Sequence, residues 1–301
     1  MSDYSALLDQ IPVVAGPRLV EELSGGLTNR NLKVTVDSGT YVVRWSQSDV
    51  ALLGIDREAE HRNSGFAAAD GVAPEVIDYR PDLGVLVIRF LEGETLTDAS
   101  FEDSRVMRRA AEASRRLHAG PRFVGDFDMF ARQSQYRRRI DEAGFWLPPS
   151  YDDYEHQWSE VREVLTLTAS VSAPCNNDLL AGNFIDDGRL VWLIDYEYSG
   201  NNDPCFELGN TATECEFTPE LTEAWTEAYF GRVDPDRLAR VRLQSLCSEY
   251  GWSLWGFIQA ATRDDDFDFA GWGQDRFDLS VGDFRSPHFG AWLDAAAGVR
   301  P

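Results

Sequence analysis

Short β-branched runs separated by turn residues fill the first third of the chain, and long stretches with helical periodicity fill the rest. Leu32 to Val36 and Tyr41 to Trp45 flank Asp37-Ser38-Gly39, which reads as a hairpin turn, so the pattern predicts a small antiparallel sheet. Asp56 to Ala69, polar and rich in alanine, is closed by Asp70-Gly71 and Pro74 and predicts a helix. Val85 to Leu91 predicts a buried strand ending at Glu92-Gly93. Beyond Gly93 the helical pattern returns at Asp103 to His118, Asp152 to Leu167, Thr218 to Tyr229 and Asp236 to Ala261. Two short apolar strands interrupt it, Asn183-Phe184-Ile185 and Leu190 to Ile194, joined by Asp186-Asp187-Gly188. There is no internal repeat and no low-complexity linker. The expectation is an α+β chain of two lobes: a small antiparallel-sheet lobe over residues 1–93 and a larger, mainly helical lobe over residues 94–301.

Composition narrows the partners. In 301 residues, 43% apolar and 12% aromatic content supply a sizeable core. The formal charge of −23, from 51 acidic against 28 basic residues, repels nucleic-acid phosphates and anionic lipid, so neither is expected as a partner. Such a field suits a cationic ligand, but a plain solvated acidic surface accounts for it first. Lys33 is the only lysine. No apolar run approaches the roughly 20 residues of a membrane span, and MSDYSALLDQ lacks the pattern of a signal peptide, so a cytoplasmic location is expected. Cys175, Cys205, Cys215 and Cys247 show no metal-ligand spacing, which predicts reduced, buried thiols. Oligomeric state is not legible.

The chemistry concentrates on the two inserted strands. Asn177-Asp178-Leu179-Leu180-Ala181-Gly182-Asn183 is followed, after a hairpin, by Leu193-Ile194-Asp195. Taken singly, each Asp or Asn is more often a turn residue. Together, an Asp five residues before an Asn and a second Asp closing an apolar strand form the arrangement that phosphoryl transfer needs. Asp178 accepts the proton of an attacking hydroxyl, and Asn183 and Asp195 offer hard oxygen ligands to Mg²⁺ on the phosphates of ATP.

This run resembles the catalytic segment of the aminoglycoside phosphotransferase and choline kinase superfamily, His-Asn-Asp-Leu followed by Asn and then Asp-Tyr-Glu-Tyr. The resemblance implies a protein-kinase-like two-lobe fold and an ATP-dependent phosphotransferase. Ser24-Gly25-Gly26-Leu27-Thr28-Asn29 matches the phosphate loop, which implies that Ser24, Gly25, Gly26, Thr28 and Asn29 meet the nucleotide. Tyr41-Val42-Val43-Arg44 matches the strand bearing the phosphate-contacting cation, here Arg44. Its implied partner is Glu60, eleven residues before Gly71, with Glu58 as the rival. Arg89-Phe90-Leu91-Glu92-Gly93 matches the hinge, placing Phe90 and Leu91 at adenine. Asn176 stands where the family carries histidine, and asparagine retains a donor for a backbone carbonyl.

For the acceptor, Trp252 and Trp255 are three apart and share one helix face, and aromatic faces attract ammonium groups. Trp252-Ser253-Leu254-Trp255-Gly256 resembles the Trp-x-x-Trp-Gly helix of choline and ethanolamine kinases, and Tyr198 and Glu214 match a further aromatic wall and the balancing acid. The implied substrate is a small cationic alcohol, choline or ethanolamine. The alternatives are thiamine, an amino sugar or an aminoglycoside, or a nucleotide-binding pseudokinase without turnover.

Overall fold

The computed structural model describes residues 4–23, 29–46, 50–168, 171–264 and 266–298. A short helix α1 (Ser5–Leu8) precedes a five-stranded antiparallel sheet of β1 (Leu19–Leu23), β2 (Asn29–Val36), β3 (Gly39–Ser46), β4 (Val76–Arg80) and β5 (Val85–Arg89), in the order β1-β2-β3-β5-β4. Alternation decides its faces. Leu32, Val34, Tyr41, Val43, Val85 and Val87 turn to one side and close over Leu8, Ile11 and Val14 as an apolar core. Arg44, one residue on from Val43, therefore faces the other side, opposite Leu86 across the ladder. The strand expected over Val85 to Leu91 stops at Arg89, which pairs with Tyr41 near the start of β3.

After the short α2 (Val50–Leu53), α3 (Arg57–Ala69) packs on that second face. Asp56 caps it, its carboxylate accepting the N–H groups of Glu58 and Ala59 at 3.0 Å each. The buried residues of α3 are Glu60, Asn63, Ser64 and Ala67, one helical stripe, while Glu58 is exposed. Helical phase thus chooses Glu60 over its rival.

The larger lobe holds α4 (Ser104–His118), α5 (Met129–Ala143), α6 (Glu155–Leu167), α7 (Pro204–Glu214), α8 (Pro219–Phe230), α9 (Pro235–Thr262), α10 (Phe269–Phe284) and α11 (Phe289–Ala296). Its axis is α9, 28 residues long and buried on nearly every face from Ala239 to Gln259, with α5, α7, α10 and α11 packed round it. Gly256 permits the close approach of α10: a Cβ there would meet the Gly273 Cα of α10 at 2.7 Å. Two small sheets bracket the stretch from Asn176 to Asp195. β6 (Glu94–Thr95), β8 (Phe184–Asp186) and β9 (Val191–Leu193) form one, and β7 (Ala173–Cys175) with β10 (Gly200–Asn202) the other. The fold is therefore the expected two-lobe α+β architecture of the protein-kinase type. Among the described residues, all four cysteines are free and buried, and no helix is long and apolar enough to cross a membrane.

Candidate active site

The segment from Asn176 to Asn183 runs between β7 and β8, and its backbone is held in place by side chains on every side. Asn177 adopts φ 67° and Asp195 φ 63°, left-handed conformations that persist only where neighbours over-determine them. Asn177 Nδ2 donates to the carbonyls of Cys175, Tyr198 and Gly200 at 3.1–3.3 Å, and its Oδ1 accepts from Asn202 at 2.9 Å. Asn176 Nδ2 donates to the carbonyls of Ile194 at 3.1 Å and Asp195 at 2.7 Å, and its Oδ1 accepts the Asp178 N–H at 3.1 Å. One asparagine therefore ties the two acidic positions together, at the position where the resembled family carries histidine.

Beneath this loop lies Glu207 of α7, fully buried and not among the expected site residues. Its two oxygens accept the N–H groups of Asn176 at 3.1 Å and Asn177 at 2.6 Å. His118 Nε2 lies 3.2 Å from the same carboxylate, and its Nδ1 is 2.7 Å from the Tyr229 hydroxyl. The ligand atoms of His118, Cys175 and Glu207 fall within 4.8 Å of one another, but the carboxylate is already spent on backbone amides and imidazole. We read the cluster as a brace for the loop. A glutamate seven residues before Glu214, hence on the same face of an otherwise uncharged helix, was the available signal.

Asp178 is half-buried at the end of the cavity, and burial pushes its carboxyl well above the usual range, helped by Glu197, Glu214 and Asp195. Asn183 Nδ2 donates to the Asp178 carbonyl at 2.8 Å, which fixes the amide on the cavity wall. Asp195 Oδ1 accepts from Arg44 Nη2 at 2.7 Å, and Arg44 Nη1 lies 3.1 Å from Glu60. Burial works against the Arg44 charge, and Asp195, Glu60 and Glu197 together outweigh it and keep the guanidinium protonated. Glu197 and Arg57, neither of them among the expected site residues, extend the network: Arg57 lies 2.6 Å from Glu60 and 3.3 Å from Glu197. Asn29 joins it, donating to Glu197 at 3.0 Å and accepting from Ser46 at 2.6 Å and Arg57 at 3.1 Å. Burial and Asp195 push the Glu197 carboxyl up, against the pull of Arg44. Ser24, Gly25, Gly26 and Thr28 lie outside the described residues. Phe90 and Leu91 follow β5, half-buried, with the Lys33 ammonium 4.2 Å above the Phe90 ring, and do not line the cavity below.

A cavity of about 510 Å³ gathers Asp178, Asn183, Asp195, Tyr198, Glu214, Trp252 and Trp255. The polar edges of its rings are turned to partners. Trp252 Nε1 donates to Asn210 at 2.9 Å and Trp255 Nε1 to the Tyr198 hydroxyl at 3.0 Å. Tyr198 meets Trp252 edge to face at 4.9 Å, and Trp255 meets Trp272 at 5.4 Å. Acids outnumber bases on the wall, with Asp98, Asp178, Asp195, Glu197 and Glu214 against Arg276. Arg276 is the unexpected member: it grips Glu214 with two nitrogens, at 3.2 and 3.3 Å, so the acid expected to balance an ammonium shares its charge with a guanidinium. Trp272 and Arg276 are four apart on α10, a spacing that puts them on one face, but nothing local ties that face to Glu214, 62 residues earlier.

The model of the phosphotransferase enzyme family matches residues 19–241. A crystal structure of a choline/ethanolamine kinase family protein from Mesorhizobium loti superposes with a TM-score of 0.85 at 32% identity, covering 97% of each chain. Human ethanolamine kinase 1 is 26% identical over 294 residues, 84% of this chain and 64% of that protein. A crystal structure of LicA in complex with AMP shares the fold, with a TM-score of 0.74 at 23% identity over 97% of this chain and all of that one.

Proposed function

This chain belongs to the phosphotransferase enzyme family, as a choline/ethanolamine kinase-like member, and we propose that it moves the γ-phosphoryl group of ATP onto the hydroxyl of a small cationic alcohol, choline or ethanolamine. One observation carries the reading: a proton-accepting carboxylate, two hard oxygen ligands and an aromatic wall line the same cavity. In this reading residues 1–93 hold the nucleotide and residues 94–301 supply the acceptor site and the chemistry.

Asp178 takes the proton of the acceptor hydroxyl, and its environment makes it a stronger base than a solvated carboxylate. Asn183, fixed through Asp178's carbonyl, and Asp195, on its strained backbone, fit Mg²⁺, since both present oxygen and neither is a soft donor. When bound there, Mg²⁺ neutralises charge on the ATP phosphates. Arg44, kept charged by its three carboxylates and paired with Glu60 and Asp195, supplies the cation for the α and β phosphates. The acceptor's ammonium lies against Tyr198, Trp252 and Trp255, whose faces offer cation–π attraction while the surplus of acids supplies the field. Ethanolamine and choline present the same charge to this wall. A thiamine or aminoglycoside kinase shares the chemistry but needs room for a larger ring system.

The experiment is ATP consumption by the purified protein with Mg²⁺ against a panel of amino alcohols, amino sugars, thiamine and aminoglycosides. Turnover is expected with choline or ethanolamine above the rest. Preference for a sugar would reject the acceptor assignment, and absence of turnover with every acceptor would reject the kinase reading.

A further inference from the structure

A second cavity, a groove of about 1040 Å³, follows the catalytic one along α9 and runs between α7 and α8 on one side and α10 and α11 on the other. Arg276 lines both. At its wall stands Glu249 of α9, 7% exposed. Its Oε1 accepts from the Thr213 hydroxyl at 3.3 Å, and its Oε2 has no hydrogen-bond partner. A buried carboxylate oxygen left without a donor is costly, and a cationic donor from outside removes the cost.

The groove is acidic beyond that one group: Glu216, Asp275, Asp278 and Asp283 line it with Glu249, against Arg242, Arg276 and His288. Burial pushes Asp283 up to about 6, and burial together with Asp283 pushes Glu249 well above the usual carboxylate range, a repulsion that a cation between them would relieve. The charges do not converge. Among the described residues, no three of these carboxylates approach within 4.8 Å of one another, so the groove is poorly made to chelate one metal ion. Charges strung along a groove instead match a ligand whose own charges are strung along a chain. Trp292, half-buried on α11, adds an aromatic wall that already holds the Arg242 guanidinium 5.9 Å from its ring.

We propose that this groove is a second binding site, distinct from the catalytic cavity, for a linear polyamine whose ammonium groups reach Glu249 and Asp283. The proposal does not depend on the acceptor preference of the active site. Titration calorimetry with spermidine tests it at about 0.15 M salt, where diffuse attraction to an acidic surface is screened. One saturable site is expected in the unmodified protein. Glu249→Gln and Asp283→Asn, on separate helices, should each weaken it by about tenfold or more, while Trp255→Ala, which opens the catalytic cavity, should leave it unchanged. No saturable binding, parental affinity in both carboxamide variants, or loss of binding in Trp255→Ala would overturn the assignment.

Discussion

Asp178→Ala is expected to lower turnover by roughly 10² to 10⁴-fold, the usual contribution of a general base, while ATP affinity changes little. In the proposed mechanism the side chain meets the acceptor hydroxyl rather than the nucleotide, and the loop that carries it is held by Asn176, Asn177 and Glu207, none of which the substitution removes. Stability follows from the sign of the shift. A carboxyl whose folded-state value is raised opposes folding at pH above its ordinary range, so at neutral pH the variant should be as stable as the parent or slightly more so. The same shift sets the pH profile. Activity of the unmodified enzyme should rise with pH through the raised value as Asp178 deprotonates, and this acid limb should vanish in the variant. Steady-state kinetics with thermal unfolding separate these effects, and full turnover in the variant would remove Asp178 from catalysis.

Glu207→Ala should be the most damaging change outside the cavity. Its carboxylate is the acceptor for two adjacent buried amides, those of Asn176 and Asn177, and alanine leaves both without one. At about 1 to 3 kcal/mol for each orphaned group, the loss in stability is roughly 2 to 6 kcal/mol. Turnover should fall with it, because Asn177 is held at positive φ and Asp178 follows directly in the chain. Glu207→Gln keeps one acceptor oxygen and should lie between the two. Urea denaturation monitored by tryptophan fluorescence gives the stability and phosphoryl transfer gives the activity. An alanine variant with parental stability and parental turnover would contradict the bracing role.

The parts legible in the sequence are those in which local pattern and spacing carry the information. The β2–β3 hairpin announces itself by its turn, and the β7-to-β9 segment by an Asp and an Asn whose spacing survives any error in element boundaries. Glu60 became decidable through helical phase, which buries positions 60, 63, 64 and 67 together. Other elements hid for physical reasons. α7 is buried from Cys205 to Thr213 and so shows no polar face to set a period, and it begins at a proline that also reads as a loop. α10 carries Gly271, Gly273 and Gly282, which depress its helical signal, although Gly273 is what lets it approach α9. The Arg276–Glu214 pair and the Asn29–Glu197–Arg57 network join residues 28 to 168 positions apart, and only the folded chain brings them into register.

The acceptor is the part of the account that rests most on the aromatic wall and the acidic field, and one comparison addresses both. Choline and 3,3-dimethyl-1-butanol have nearly the same shape and the same hydroxyl, and differ in the positive charge. With Tyr198, Trp252 and Trp255 each contributing about 0.5 to 2 kcal/mol of cation–π attraction, kcat/KM for choline should exceed that for the neutral analogue by roughly tenfold or more. Equal kcat/KM for the two alcohols in the unmodified enzyme would contradict the account and point to an uncharged acceptor.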